Sequence, residues 1–307
     1  MRNQTFGVEV EMNHITRKDA AKIAADYFGT GRYEDTRGRN GYFTWSAWDQ
    51  QGREWKFSRD VSICGDDDHK CEMVTPILKY EDMEDLQELV RRLRHAGAIS
   101  NPRNGCGVHI HIGADGHDAK SLRNLANLMA SHEELLMMAL KLDRSRMHSY
   151  CKPVDQRFLD AVNTKKPRTM TELADIWYTS QNCNFFRDHH YNDSRYHMLN
   201  LHATFTKGTV EFRLFQFDNP GTTIDGRRYR GGIHAGQLKS YIQLCLAMSD
   251  KAKRARSIAP NRVQVDNPKY AMAGWLCNMG LVGDEFKTAR NIFTRNLTGN
   301  TGRRYVA

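Results

Sequence analysis

The sequence predicts a single mixed α+β domain, and three features carry that expectation. Short runs alternate apolar with ionisable residues at a period of two, as half-buried strands do: Gly7 to Met12, Gly107 to Ile112 and Gly208 to Leu214. Other segments repeat apolar residues at helical spacing, above all Glu81 to Ala96 and Ala119 to Leu142. No internal repeat, low-complexity linker or Pro-rich hinge interrupts the 307 residues. One domain over 1–307 is therefore expected, with a mobile tail from about residue 297.

In chain order, a first strand is expected from Phe6 to Met12. A helix from Lys18 to Phe28 follows, capped by Thr16 and closed by Gly29. Tyr42 to Trp45 and Trp55 to Phe57 flank the turn-prone Asp49-Gln50-Gln51-Gly52 and predict a hairpin. Asp66-Asp67-Asp68 reads as a solvated loop. Glu81 to Ala96 places Met83, Leu86, Leu89, Val90 and Leu93 on one face, with acids at its start and Arg91, Arg92, Arg94 and His95 near its end, the order that suits a helix dipole. In the helix from Ala119 to Leu142, Met137 and Met138 are expected to fill core gaps. Thr171 to Thr179 predicts a short helix. Tyr196 to Phe205 and Thr209 to Phe217 predict a hairpin across Thr206-Lys207-Gly208, the glycine supplying a positive φ. Helices over Gln237 to Ser249, Tyr270 to Asn278 and Asp284 to Asn296 complete the chain.

A hydrophobic content of 40% permits a substantial core. No stretch approaches the ~20 apolar residues of a membrane helix, and Met1 to Phe6 lacks the apolar run of a signal peptide, so a cytoplasmic address is expected. Seven cysteines without a C-x-x-C spacing fit reduced thiols better than a disulfide framework or a zinc ribbon. The net charge of +9 invites phosphate. Its basic groups are scattered, however, over Arg91 to Arg94, Arg227 to Arg230, Lys251 to Arg256 and Arg303-Arg304, with no aromatic-interleaved stripe. Nucleic acid is not expected as the main ligand; a nucleotide, an acidic peptide or another anionic substrate accounts for the charge equally well.

The three strands carry the chemistry. Successive strand side chains point to opposite faces, so Glu9 and Glu11 share one face and Val8, Val10 and Met12 the other. His109 with His111, and Glu211 with Arg213, divide likewise. Two carboxylates on one face repel, and a divalent metal or paired arginines hold both ionised. Glu9, Glu11, Glu72, His109 and Glu211 together supply donors for two magnesium or manganese ions, which hard carboxylate-rich sets favour over zinc. Arg213, on the Glu211 face, is placed for a phosphoryl oxygen or a substrate carboxylate.

Five segments, in order, resemble the amidoligases, a family grouped with glutamine synthetase and glutamate-cysteine ligase. They are Phe6 to Glu11, Cys71 to Pro76, Gly105 to Gly113, Arg195 to Leu201 and Thr209 to Phe215. Arg144 to Pro153 is similar to the family's stretch after its long helix, and the resemblance covers roughly residues 6–250. It implies a glutamine synthetase-like catalytic domain with a curved antiparallel sheet, flanked by helices, whose inner face carries the metals. It also implies ATP-dependent amide formation through an acyl phosphate, with carboxylate and amine substrates; a small amino acid, a peptide terminus, a protein side chain and a cell-wall fragment all suit that chemistry. By position, Glu9, Glu11, Glu72, His109 and Glu211 resemble metal ligands. His111 would lie near nucleotide phosphates and Arg213 near the transferred phosphoryl group. Asp60, Arg146, Arg195, Asn200 and Arg228 are candidates for substrate or nucleotide contacts; Asp60 departs from the family pattern because Val61 replaces a small residue and an acidic insertion follows.

Other readings stay open on the residues alone. Glu9 and Glu11 suit a half-exposed edge strand, Glu72 a strand end, Arg213 simple neutralisation of Glu211, and the loop Asp225 to Gly232 a solvated basic turn. A metal-dependent hydrolase would use the same Glu and His cluster to activate water without ATP. A basic nucleic-acid-binding module would respond to salt instead of metal.

Overall fold

The computed structural model describes residues 1–36, 41–222, 226–229, 231–262 and 266–302. Asp225, Arg230, Arg303 and Arg304 lie outside the described residues. In chain order the elements are β1 (Phe6–Met12), α1 (Arg17–Phe28), β2 (Tyr33–Asp35), β3 (Trp45–Trp48), β4 (Glu54–Ser58), β5 (Cys71–Val74) and α2 (Met83–His95). There follow β6 (Val108–Gly113), α3 (Ala119–Leu140), α4 (Arg144–Ser149), α5 (Gln156–Lys165), α6 (Met170–Ser180), β7 (Leu199–Asn200) and α7 (His202–Lys207). The chain closes with β8 (Thr209–Phe215), β9 (Gly221–Thr222), β10 (Arg228–Tyr229), α8 (Ala235–Arg254), α9 (Pro268–Asn278) and α10 (Lys287–Thr294). This is the mixed α and β composition that the sequence predicts.

The chain divides into two compact units, and the divisions fall inside β6, at the end of β8 and inside α8. One unit comprises Arg2–Ile110 with Phe215–Lys239; the other comprises Met1, His111–Leu214 and Ser240–Ala307.

In the first unit the strands lie in the order β2-β3-β4-β5-β1-β6, and the pairs β2/β3, β3/β4, β4/β5 and β5/β1 are antiparallel. A hairpin forms around the predicted turn as β3/β4, with Gly52 N donating to the Asp49 carbonyl, but its first arm is Trp45–Trp48 and not Tyr42 to Trp45, since Tyr42–Thr44 precede the strand. Helix α1 packs on β3 and β4 through Ala20, Ala21, Ala24 and Ala25, all fully buried. Thr16 caps it by accepting from Asp19 N, and Gly29 ends it at φ 69°, a left-handed conformation that glycine adopts freely. The acidic loop is exposed as expected, but a guanidinium anchors it from beneath: Arg17 donates to the carbonyls of Asp67 and Lys70 and to that of Phe43. A single turn over Tyr80–Asp82 precedes α2, and Asp82 accepts from Lys79 N and from both terminal nitrogens of Arg53.

In the second unit the strand order is β6-β8-β7, with β7/β8 antiparallel. Helix α3 packs against α5, α6 and α10. Two expectations are corrected here. The segment from 196 to 217 is not a tight hairpin: β7 pairs Leu199 with Phe212 and Asn200 with Glu211, but the chain between the strands winds into α7. Gly208 does take a positive φ, 71°, as the cap that ends this helix. Met138 is 46% exposed, on the outer side of α3, and fills no core gap. Among the described residues no helix is long and apolar enough to cross a membrane.

Candidate active site

Strand β1 buries Val8, Val10 and Met12 to 1% exposure or less, so Glu9 and Glu11 project from the opposite face. The β1/β5 register sets Glu72 directly opposite Glu11. Facing like charges destabilise a ladder, and the groups around this pair answer the charge. Gly107 N donates to Glu11 Oε2 at 2.5 Å, while His109 Nδ1 lies 3.0 Å from Glu9 Oε2 and its Nε2 3.8 Å from Glu11 Oε1. Glu9, Glu72 and His109 each offer a ligand atom within 4.8 Å of the others; Glu11, Asp60 and Glu72 do the same. Glu72 therefore belongs to two overlapping donor groups within one unit.

Asp60 reaches this cluster from the loop after β4. Its Oδ1 accepts from both Ser62 N and Ser62 Oγ at 2.7 Å. The loop is in turn fixed by Cys64 N donating to the Asn104 carbonyl and by Asn13 Nδ2 donating to the Cys64 carbonyl. Gly105 makes this approach possible: its φ is +72°, and a Cβ there would lie 2.5 Å from the Ser62 carbonyl oxygen. Gly105→Ala is expected to cost more than about 1 kcal/mol of unfolding free energy and to weaken divalent-cation binding, as read by urea denaturation and manganese titration.

The other unit carries further candidate residues. Glu211 and Arg213 on β8 are 2% and 5% exposed. Asn200 stands opposite Glu211 in the β7/β8 register and donates Nδ2 to Glu211 Oε2 at 2.6 Å; Arg213 donates to Glu211 Oε1 at 2.5 Å. His111 shares a hydrogen bond between Nδ1 and Thr209 Oγ1 at 2.9 Å, and its Nε2 is 3.9 Å from Glu211 Oε1. Arg213 Nε donates to the Tyr150 carbonyl, and Arg146 donates to the Arg213 carbonyl at 3.2 Å. The Arg213 guanidinium sits 5.8 Å from the Tyr196 ring centre. Asn200→Ala removes a donor from a buried carboxylate and is expected to cost about 1.5–3 kcal/mol in chemical denaturation.

Of the sequence-predicted residues, the structure thus gathers Glu9, Glu11, Glu72, His109 and Asp60 in one unit, and His111, Glu211, Arg213, Asn200 and Arg146 in the other. Arg195 shares the Tyr196 ring with Arg213, lying 5.7 Å from its centre. Arg228 is exposed on β10 opposite Thr222 and makes no ion pair among the described residues. Asn200 and Arg146 contact the protein's own Glu211 and Arg213. Sequence reasoning missed Thr209, Tyr150 and Tyr196 as neighbours of His111 and Arg213. Thr209 is two residues before Glu211 on the same strand face, so alternation alone could have found it.

Beside this second set runs the loop from 181 to 196. Asn192, 6% exposed, donates its side-chain amide to the carbonyls of Cys183, Phe185 and Phe186. Tyr178 donates its hydroxyl to the Arg187 carbonyl, and Arg187 pairs with Asp175. The loop is fastened from inside while Phe185 and Phe186 point out, 84% and 76% exposed.

Residues 2–249 match a family model described as "Putative amidoligase enzyme". Comparison with curated proteins and with solved structures gave no match.

Proposed function

Because the chain belongs to the amidoligase family, we propose that it joins a carboxylate to an amine in an ATP-dependent reaction that passes through an acyl phosphate. Membership makes it a ligase acting on carboxylate and amine substrates; the finer chemistry is inferred from its residues. The observation that carries the reading is Glu72, shared between a Glu9-His109 group and a Glu11-Asp60 group. Such oxygen-rich donors fit magnesium or manganese, and Glu11 facing Glu72 is a juxtaposition that a divalent cation relieves. When bound, the metals would neutralise charge on a transferring phosphoryl group.

The chain's own residues have distinct tasks in this scheme. Glu9, Glu11, Glu72 and His109 are metal ligands, and Asp60 moves from the substrate contact implied by resemblance to a fifth donor on geometric grounds. Glu211 is the remaining proposed ligand, oriented by Asn200 and Arg213 on its two oxygens. Arg213 offers a directed positive charge to a phosphoryl or carboxylate oxygen, His111 stands near the nucleotide phosphates, and Arg146 positions Arg213 through its carbonyl. The sheet is proposed to be the curved, glutamine synthetase-like platform of a single catalytic domain.

The test is magnesium-dependent phosphate release from ATP by the purified protein, scanned over pooled amino acids and peptides, with Glu9→Gln as the control. Release stimulated by particular pools and lost in the variant supports the ligase. Absence of stimulation together with absence of Mg-ATP binding overturns it, and metal-dependent hydrolysis without ATP would identify a hydrolase.

A further inference from the structure

Arg195 is only 9% exposed, yet no carboxylate pairs with it among the described residues. Its Nη1 donates to the carbonyl and Nε2 of His190, and its guanidinium lies 5.6 Å from the Tyr191 ring and 5.7 Å from the Tyr196 ring. A largely buried cation held by neutral partners is costly unless an anion completes its surroundings.

The same loop displays apolar surface on a stiff support. Phe186 takes φ 56°, a conformation that costs a bulky residue energy and persists only where neighbours enforce it. The three carbonyl contacts of Asn192 supply that enforcement. Aromatic rings on a preorganised backbone lose little freedom when something docks on them.

The two features are connected stepwise to Arg213. Tyr196 lies 5.8 Å from Arg213, Arg195 5.7 Å from Tyr196, Tyr191 5.6 Å from Arg195, His189 6.0 Å from Tyr191 and Phe186 6.3 Å from His189. The path is continuous, so a ligand at Arg213 that extends along Tyr196 and Arg195 meets the aromatic rim, and an extended chain advances ~3.3–3.6 Å per residue along it.

We propose that the carboxylate substrate is a polypeptide segment, with an acidic residue held by Arg195 and an apolar side chain seated on the Phe185-Phe186 rim. The assignment of this segment as substrate rests on the ligase reading; the docking surface does not. The charge balance of the loop favours a peptide over a nucleic acid. Arg187 is taken up by Asp175, and the exposed Asp188 and Asp193 repel anions; a peptide meets that repulsion at one acidic residue while Arg195 offsets it, whereas a phosphate backbone meets it at every nucleotide.

The experiment is fluorescence anisotropy without ATP, using fluorescein-labelled Leu-Glu-Phe-Glu-Ala, its analogue with Gln in place of both Glu, labelled glutamate, and a short uridine oligomer as competitor. The acidic peptide is expected to bind at least about 10-fold tighter than the Gln analogue or glutamate. The exposed pair Phe185→Ala/Phe186→Ala is expected to lose about 10-fold with unchanged thermal unfolding, and Arg195→Gln to lose the preference for Glu over Gln, which Arg195→Lys restores in part. Glutamate binding as tightly as the peptide, an unaffected Phe variant, displacement by the uridine oligomer, or absence of peptide binding each overturns the proposal. Peptide binding in a protein that shows neither stimulated phosphate release nor Mg-ATP binding would overturn the ligase reading instead and leave the docking surface standing.

Discussion

Glu72→Gln is expected to lower magnesium-dependent turnover on the order of 100-fold or more. Glu72 serves both donor groups of the first unit, so one neutralised oxygen weakens both. The same substitution is expected to act in the opposite direction on the metal-free fold. Glu72 faces Glu11 across the β1/β5 ladder, and removing one of two opposed carboxylates relieves ~0.2–1 kcal/mol of cross-strand repulsion. Thermal unfolding in EDTA should therefore show the variant equal to or above wild type, and manganese titration should show lost binding. A variant that keeps its metal affinity would mean that Glu72 is an ordinary strand carboxylate and that the shared-ligand geometry has no function.

The second large effect concerns stability and pH. Glu133 on α3 is 1% exposed, and burial pushes its carboxyl up to about 7, against an ordinary value of 4.5. The Val154 N–H at 3.0 Å and Arg262 at 3.8 Å pull the other way without cancelling burial. A folded-state value above the unfolded one means that folding takes up a proton. The associated stability is complete below about 4.5 and is lost as pH rises through about 7. The shift corresponds to roughly 3 kcal/mol. Glu133→Gln keeps an acceptor for Val154 N–H and removes the titration, while Arg262 keeps Glu134 at 2.9 Å. The variant is expected to match wild type near pH 5 and to exceed it at pH 8.5 in urea denaturation. His117 and His132 titrate in the reverse sense, because burial depresses both to about 4 and their contribution is lost as pH falls. The difference between variant and wild type isolates Glu133 from them.

Much of the site was legible because strands write their faces at period two. Glu9 with Glu11 and Glu211 with Arg213 needed only alternation. The Asp60 contribution was not legible as part of the carboxylate cluster, because a loop that returns through Gly105 packing leaves no periodic trace. Nor was the grip of Asn200 on Glu211, which exists only through the β7/β8 register. The misread hairpin has a definite cause: a left-handed glycine ends helices as readily as it makes turns, and Gly208 does the former. Helices α4 and α5 went unread although Asp143 and Asp155 cap them, accepting from Arg146 N and Phe158 N respectively. Helix α4 is too short for apolar spacing to stand out, and α5 buries only Phe158, Leu159 and Val162.

Asn192 gives the aromatic loop an ageing point. One –NH₂ group satisfies three carbonyls, and hydrolysis of that amide to a carboxylate would exchange a double donor for a negative oxygen facing three acceptors. The chain length and the fold would survive this single-atom change. What would be lost is the enforcement of the left-handed Phe186, so the protein would keep its shape while its displayed rings drifted out of register. A stored sample would then decline in peptide affinity before it declined in melting temperature.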